Sequence, residues 1–203
     1  MPSGDRGEIT RRAVIGAAAT AAFVPVSAIR SAAQTTAPQR RIFTQEQRRT
    51  LEAFLDRLCP ADELGPGAVE MGAQNYIEIQ LGDYLAPEKQ TFLDGLAALD
   101  AYARESQDRG FADLPAEKRD QVLTDIDSGK APPNTRAFFL RARRLMLEGM
   151  FGDPHYGGNK NFAGWDLIKY PGPRLAVSPE MQKMGEPIAP YHRSAWGPEH
   201  SGH

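Results

Sequence analysis

Hydrophobic residues recur at helical spacing as far as Phe151; beyond it the spacing is lost while aromatic residues continue. That break separates a part of the chain that must bury apolar stripes from a part that only individual side chains can hold in place. In the first part, Leu51, Phe54, Leu55 and Leu58 fall at i, i+3, i+4 and i+7, one face of a helix. Thr44 and Gln47 frame its start as a capping box, the hydroxyl accepting from the Gln47 amide while the Gln47 side chain reaches back. Pro60 ends it, and Gly65-Pro66-Gly67 is a turn.

A second helix is expected over residues 69–85, with Val69, Ala73, Tyr76, Ile77, Gln80, Leu81 and Tyr84 on one face. Pro87 suits the first turn of a third helix, whose buried stripe is Phe92, Leu96, Leu99 and Ala103 and which Gly110 closes. Leu114-Pro115-Ala116-Glu117 opens a fourth, carrying Val122, Leu123 and Ile126 and stopped by Gly129. Asn134 or Thr135 caps a fifth, reaching about Met150. Its Phe138, Phe139, Leu140, Leu145, Met146, Leu147, Met150 and Phe151 point all round, the pattern of a central helix buried on several sides. Arg141, Arg143 and Arg144 interrupt it; they either reach solvent with their stems packed on neighbours or pair with a partner. The expected fold is all-α: a small irregular bundle of about five helices over residues 44–151.

Residues 152–203 hold seven of the sixteen prolines and both tryptophans, without helical or strand periodicity. A structureless stretch this long is uncommon inside a compact domain. Disorder fits poorly, because disordered segments lack aromatics, and this one carries Tyr156, Phe162, Trp165, Tyr170, Tyr191 and Trp196. An extended arm anchored by its aromatic side chains fits better. It either wraps its own helices or lies on another protein, since Trp, Tyr and Arg are favoured interface anchors.

The other end reads as a removable leader, residues 1–33. Arg11-Arg12 precedes a mild apolar run from Ala13 to about Val26, which falls short of the ~20 apolar residues a membrane-spanning helix needs. Ser31-Ala32-Ala33 offers small residues for cleavage, followed by a linker over residues 34–43. Paired arginines, low hydrophobicity and the later Arg30 resemble the twin-arginine pattern; an ordinary secretory signal or an uncleaved anchor is the alternative. On the twin-arginine reading the cargo folds first, engages the twin-arginine translocase and ends in the periplasm. A chain this small has little need of that route for itself; a large cofactor-bearing partner would need it. Without the leader, twenty basic and twenty-four acidic residues remain, so electrostatics gives no reason to expect nucleic acid as a partner.

The motifs that carry cofactor chemistry are missing from the sequence: the dinucleotide-binding glycine pattern, the phosphate loop, the nucleophile elbow and H-E-x-x-H. The single cysteine, Cys59, can make no internal disulfide; it is either a small hydrophobe at a helix end or half of an intermolecular bond. Four histidines, His155, His192, His200 and His203, do not form a ligand cluster, and the terminal H-x-x-H sits where disorder is the default. No catalytic residue, cofactor or metal is therefore assigned to this chain.

The run Gly149-Met150-Phe151-Gly152-Asp153-Pro154-His155-Tyr156-Gly157-Gly158-Asn159, then Gly164-Trp165 and Tyr170-Pro171-Gly172, resembles the signature of the gluconate 2-dehydrogenase subunit 3 family, over about residues 43–173. Its turn is chemically sensible. Pro154 fixes one φ and excludes Asp153 from the helical region; Gly157 and Gly158 permit positive φ or close backbone approach. Asn159 can tie the loop through side-chain-to-backbone bonds, and Tyr156, Trp165 and Tyr170 are then presented on a defined scaffold. These residues either face a partner or merely finish the fifth helix. The resemblance implies a complex with an FAD-binding subunit of the GMC type that oxidises a sugar or sugar acid, and a membrane-bound cytochrome c subunit carrying haem. The small subunit would assist folding, assembly and export of the flavoprotein at the inner membrane. A stand-alone periplasmic carbohydrate-binding protein, its aromatic arm lining a sugar site, is the competing reading.

Overall fold

The computed structural model describes residues 41–174, 176–185 and 188–197. The Arg11-Arg12 leader, most of the linker, and His200 and His203 lie outside the described residues. Helix α1, Gln45–Leu58, starts on the expected capping box: the Gln47 amide donates to Thr44 Oγ1 at 3.1 Å and the Thr44 amide to Gln47 Oε1 at 2.9 Å. Its stripe buries Leu51, Phe54 and Leu55 completely, each such side chain contributing roughly 1.5–3 kcal/mol. The folded part begins before α1, because Phe43 is buried against Phe92. The Glu78 carboxylate fixes the approach, accepting from the Ile42 amide at 3.0 Å and from Arg48 Nη1 at 2.6 Å.

Helix α2 is shorter than expected, Ala73–Gly82. Gly72 stands in the left-handed region (φ 82°), so residues 69–71 form turns, and Asp83 (φ −128°, ψ −101°) breaks the other end. Ala73, Ile77 and Leu81 are buried as the stripe requires, but Tyr84 lies past the helix and is 82 % exposed. Pro87 sits in a separate 3₁₀ turn, Ala86–Glu88, that leads into α3, Lys89–Gln107, rather than in the helix itself. Phe92, Leu96, Leu99 and Ala103 form the expected buried stripe, and α3 stops at left-handed Asp108, two residues before Gly110. A 3₁₀ turn, Phe111–Asp113, buries Phe111 ahead of α4, Ala116–Asp127, which Gly129 ends with φ 79°.

Helix α5, Pro133–Phe151, begins earlier than expected, with Pro132 at the cap. Neither Asn134 nor Thr135 caps it: Thr135 lies in the first turn, where its hydroxyl donates to the Pro132 carbonyl at 2.6 Å. Helix α5 packs against α1, α2, α3 and α4. Phe138 meets Phe54 and Phe92 at ring separations of 5.3 and 5.1 Å, and Gly95 of α3 leaves the room it needs, since a Cβ there would lie 2.5 Å from Phe138 Cβ. The burial of α5 is nonetheless one-sided at two places, Leu140 and Leu147 being exposed. Arg141 pairs with Glu88 and Arg144 with Glu148 of its own helix, both within this chain, while Arg143 is exposed.

Candidate functional site

The chain after α5 is not uniformly extended. Two 3₁₀ turns, Pro154–Tyr156 and Lys160–Phe162, lead into a five-residue helix α6, Ala163–Leu167, and a further 3₁₀ turn spans Glu180–Gln182. A helix this short has too few turns to show a period in the sequence.

The turn is built from backbone contacts that only particular residues allow. Asp153 is extended (φ −67°, ψ 133°), as a residue before proline should be; its Oδ1 accepts from the His155 amide at 2.9 Å. Gly157 is left-handed (φ 89°), and any side chain there would strike Ile79 Cδ1 of α2. Gly158 runs against α5 so closely that a Cβ would fall on the Gly149 carbonyl. Asn159 is also left-handed (φ 45°, ψ 45°) and 0 % exposed. Its amide donates to the Gly149 carbonyl at 2.7 Å, its Nδ2 donates to the Gly152 carbonyl at 2.8 Å, and its Oδ1 accepts from the Gly164 amide at 2.8 Å. One side chain thus joins the last turn of α5 to the first turn of α6. The Lys160 amide, donating to the Met71 carbonyl at 3.0 Å, ties the same loop to the approach of α2.

Trp165 faces inward, 4 % exposed, its indole N–H donating to the Phe151 carbonyl at 2.9 Å. Phe162 and Tyr170 pack on it at ring separations of 5.2 and 5.1 Å. Among the expected partner-facing residues, Pro154, Gly157, Gly158, Asn159 and Trp165 are buried and Asp153 is half-buried, whereas Tyr156 and Tyr170 are exposed. Phe162 holds φ 61°, an outlier for a bulky side chain that costs roughly 1–3 kcal/mol.

The arm returns over this turn, a contact that no sequence spacing announced. The Ala195 amide donates to Asp153 Oδ2 at 2.8 Å. The His192 ring lies flat on Phe162 (5.1 Å, 5° between planes), with Nε2 2.7 Å from Asp166 Oδ1. Trp196 stacks on His155 at 5.1 Å. Beyond the turn, residues 188–197 face residues 171–174: the Tyr191 amide donates to the Pro171 carbonyl at 3.0 Å and Arg174 Nη2 to the Ala189 carbonyl at 2.6 Å. An open cleft of about 510 Å³ lies between them, lined by Arg174, Tyr191, Arg193, Ser194 and Trp196 among others.

Where titratable groups are perturbed, they move away from neutrality. Burial, with help from the Glu148 carboxylate it bonds at 3.1 Å, pushes the Tyr76 phenol up to about 12. Burial likewise raises the Cys59 thiol, which sits half-buried at the end of α1. Asp125 stays below the usual carboxylate range: burial opposes ionisation, but hydrogen bonds from Lys130, Gln121 and Tyr102 outweigh it. Asp120 is lowered by its hydrogen bond from Arg57. General acid–base catalysis wants a group poised near the working pH, and none of these shifts supplies one. Among the described residues no group of three or more His, Cys, Asp or Glu could hold a metal ion, and no helix is long and apolar enough to cross a membrane.

Against known proteins, the family model described as Gluconate 2-dehydrogenase subunit 3 matches residues 45–172, from the first residue of α1 to the glycine after Pro171. No curated protein and no solved structure matches the chain.

Proposed function

The chain belongs to the gluconate 2-dehydrogenase subunit 3 family and is thereby an accessory subunit of a dehydrogenase complex; from that premise we propose that it is non-catalytic and serves the folding, assembly and twin-arginine export of an FAD-binding, GMC-type catalytic subunit. The catalytic subunit would bind FAD and oxidise a sugar or sugar acid, and a membrane-bound cytochrome c subunit would carry haem and pass electrons on at the periplasmic face of the inner membrane. This chain would hold no cofactor of its own.

The observation that carries the reading is the span of the family match, which takes in the helices and the Asp153–Asn159 turn together. In that turn the buried residues Pro154, Gly157, Gly158 and Asn159 and, beyond it, Trp165 act as the frame. Tyr156 and Tyr170, both exposed, are the side chains it displays to the partner, and large aromatic side chains are the usual anchors of such contacts. A sugar site at Trp165 is less well supported, because its ring is covered by Phe162 and Tyr170 and is 4 % exposed.

The test is export in the native host. Replacing Arg11 and Arg12 by Lys should retain the FAD-dependent dehydrogenase activity in the cytoplasm, with the flavoprotein folded but not exported. Undiminished periplasmic dehydrogenase activity in the Arg11→Lys/Arg12→Lys strain refutes the export role.

A further inference from the structure

The cleft between the two limbs of the arm carries positive charge that no carboxylate among the described residues pairs with. Seven arginines of the helical part each have a carboxylate partner within the chain: Arg48, Arg49, Arg57, Arg104, Arg136, Arg141 and Arg144. Among the described residues Arg41, Arg109, Arg119, Arg143, Arg174 and Arg193 have none, and of these Arg174 and Arg193 stand together, both lining the cleft. Arg174 gives its Nη groups to neutral acceptors, the carbonyls of Pro171 and Ala189 and the Met181 sulfur. Its Nε is buried without a hydrogen-bond acceptor. Its guanidinium lies 5.7 Å from the centre of the Tyr191 ring, and the Tyr191 hydroxyl in turn accepts from Arg193 Nη1 at 3.1 Å. The described cleft lining includes no Asp or Glu, in a chain whose formal charge is −2. The positive charge here is therefore local, not a share of a basic surface.

A guanidinium fork is suited to a carboxylate, which can take two parallel N–H donors, and Arg beside Tyr and Trp is the composition of an energetic anchor at protein interfaces. The cleft is also continuous with the family turn, since Ala195 on its wall donates to Asp153. We infer that this cleft is a docking site for an aspartate or glutamate side chain of the catalytic subunit, held by the open fork of exposed Arg193, attracted also by the charge of Arg174 in the cleft wall, and flanked by Tyr191 and Trp196. The inference rests on the assembly reading above and deepens it, because it assigns the recognition chemistry to a second surface beside Tyr156 and Tyr170.

The test uses the intact complex, with the flavin absorbance of the catalytic subunit reporting its retention by the tagged full-length chain. The Arg174→Glu/Arg193→Glu variant should bind the flavoprotein at least tenfold more weakly, and the salt dependence of binding should flatten as charge pairs are lost. Arg193→Glu alone, at an exposed position, provides a second variant if the double one fails to fold by circular dichroism. An octaglutamate peptide should compete with the wild-type contact where octalysine does not. Wild-type retention by either folded variant, or failure of octaglutamate to compete, overturns the docking site while leaving the assembly reading intact. D-gluconate binding to the isolated chain through these arginines, with assembly unaffected by their reversal, would make the cleft a small-molecule site and also overturn it. A wild-type chain that retains no flavoprotein at all defeats the assembly reading first.

Discussion

Asn159→Ala is the most informative single change in this fold. The residue is fully buried and left-handed, and its side chain satisfies two backbone groups, the Gly152 carbonyl and the Gly164 amide. Alanine removes both partners at once. An unsatisfied buried group costs about 1–3 kcal/mol; the Gly164 amide deserves the middle of that range, and the Gly152 carbonyl, which is only half-buried, the lower end. Holding alanine at positive φ adds about 1 kcal/mol relative to asparagine, which visits that region more readily. The sum is about 3–5 kcal/mol, a large part of the 5–15 kcal/mol that folded domains possess. With a urea slope of about 2 kcal/mol per molar, the midpoint should fall by roughly 1.5–2.5 M. Equilibrium urea unfolding followed by far-ultraviolet circular dichroism measures it directly. Asn159→Gly separates the contributions, since it loses the same two hydrogen bonds but not the backbone preference, and should be milder than alanine by about 1 kcal/mol. A midpoint for Asn159→Ala within about 0.5 M of wild type would mean that water or a shifted backbone replaces both bonds, and the account of Asn159 as the tie between α5 and α6 would be wrong.

Two further outcomes follow from the geometry. Gly158→Ala sets a Cβ against the Gly149 carbonyl, a backbone atom that no rotamer change can move, and should destabilise by about 1–3 kcal/mol in urea unfolding; an unchanged midpoint would show that the turn can step away from α5. The Tyr76 phenol, raised from 10 to about 12, contributes stability that is complete below pH 10 and is lost as pH rises through 12. In an ultraviolet titration it should ionise last among the tyrosines, and Tyr76→Phe should remove that late step; full ionisation of the wild type by about pH 10.5, close to the ordinary phenol value, contradicts it.

The helical bundle was legible because burial on a helix is a local pattern. Leu51, Phe54 and Leu55, the α3 stripe from Phe92 to Ala103, and Val122, Leu123 and Ile126 are all where their spacing puts them. Thr44 and Gln47 could be read as a cap because the box needs only four consecutive residues. What was not legible depends on backbone states or on residues far apart in sequence. Helix α2 starts late because Gly72 is left-handed (φ 82°), a backbone state that the apolar spacing from Val69 to Leu85 does not announce. Tyr84 matched the stripe and lies outside it because Asp83 leaves helical geometry and the helix ends at Gly82. Trp165 reads as an anchor in the sequence, but composition does not say in which direction an aromatic ring points. The arginine cleft was invisible because it joins Arg174 to the segment from Ala189 to Trp196 across a return of the arm that no periodicity encodes.

The density of special residues in the Asp153–Asn159 turn has a structural explanation that bears on function. Gly157 suits its left-handed φ of 89°, and Gly158 is needed because the Gly149 carbonyl of α5 leaves no room for a side chain. Asn159 combines tolerance of positive φ with a donor and an acceptor, and Asp153 serves the His155 amide with one oxygen and the Ala195 amide with the other. These demands all arise inside the chain, so the motif is first a closure that fixes the end of α5, the start of α6 and the returning arm. On the proposed assembly role, a partner would meet what that closure displays among the described residues, with Tyr156, Tyr170 and the cleft the proposed contacts. Loss of the partner in Asn159→Ala would therefore report on the closure, whereas loss in Tyr156→Ala at unchanged stability would report on the surface. Assembly measured beside unfolding, variant by variant, keeps the two apart, because a residue with no buried bond to lose can weaken the complex only through the contact it makes.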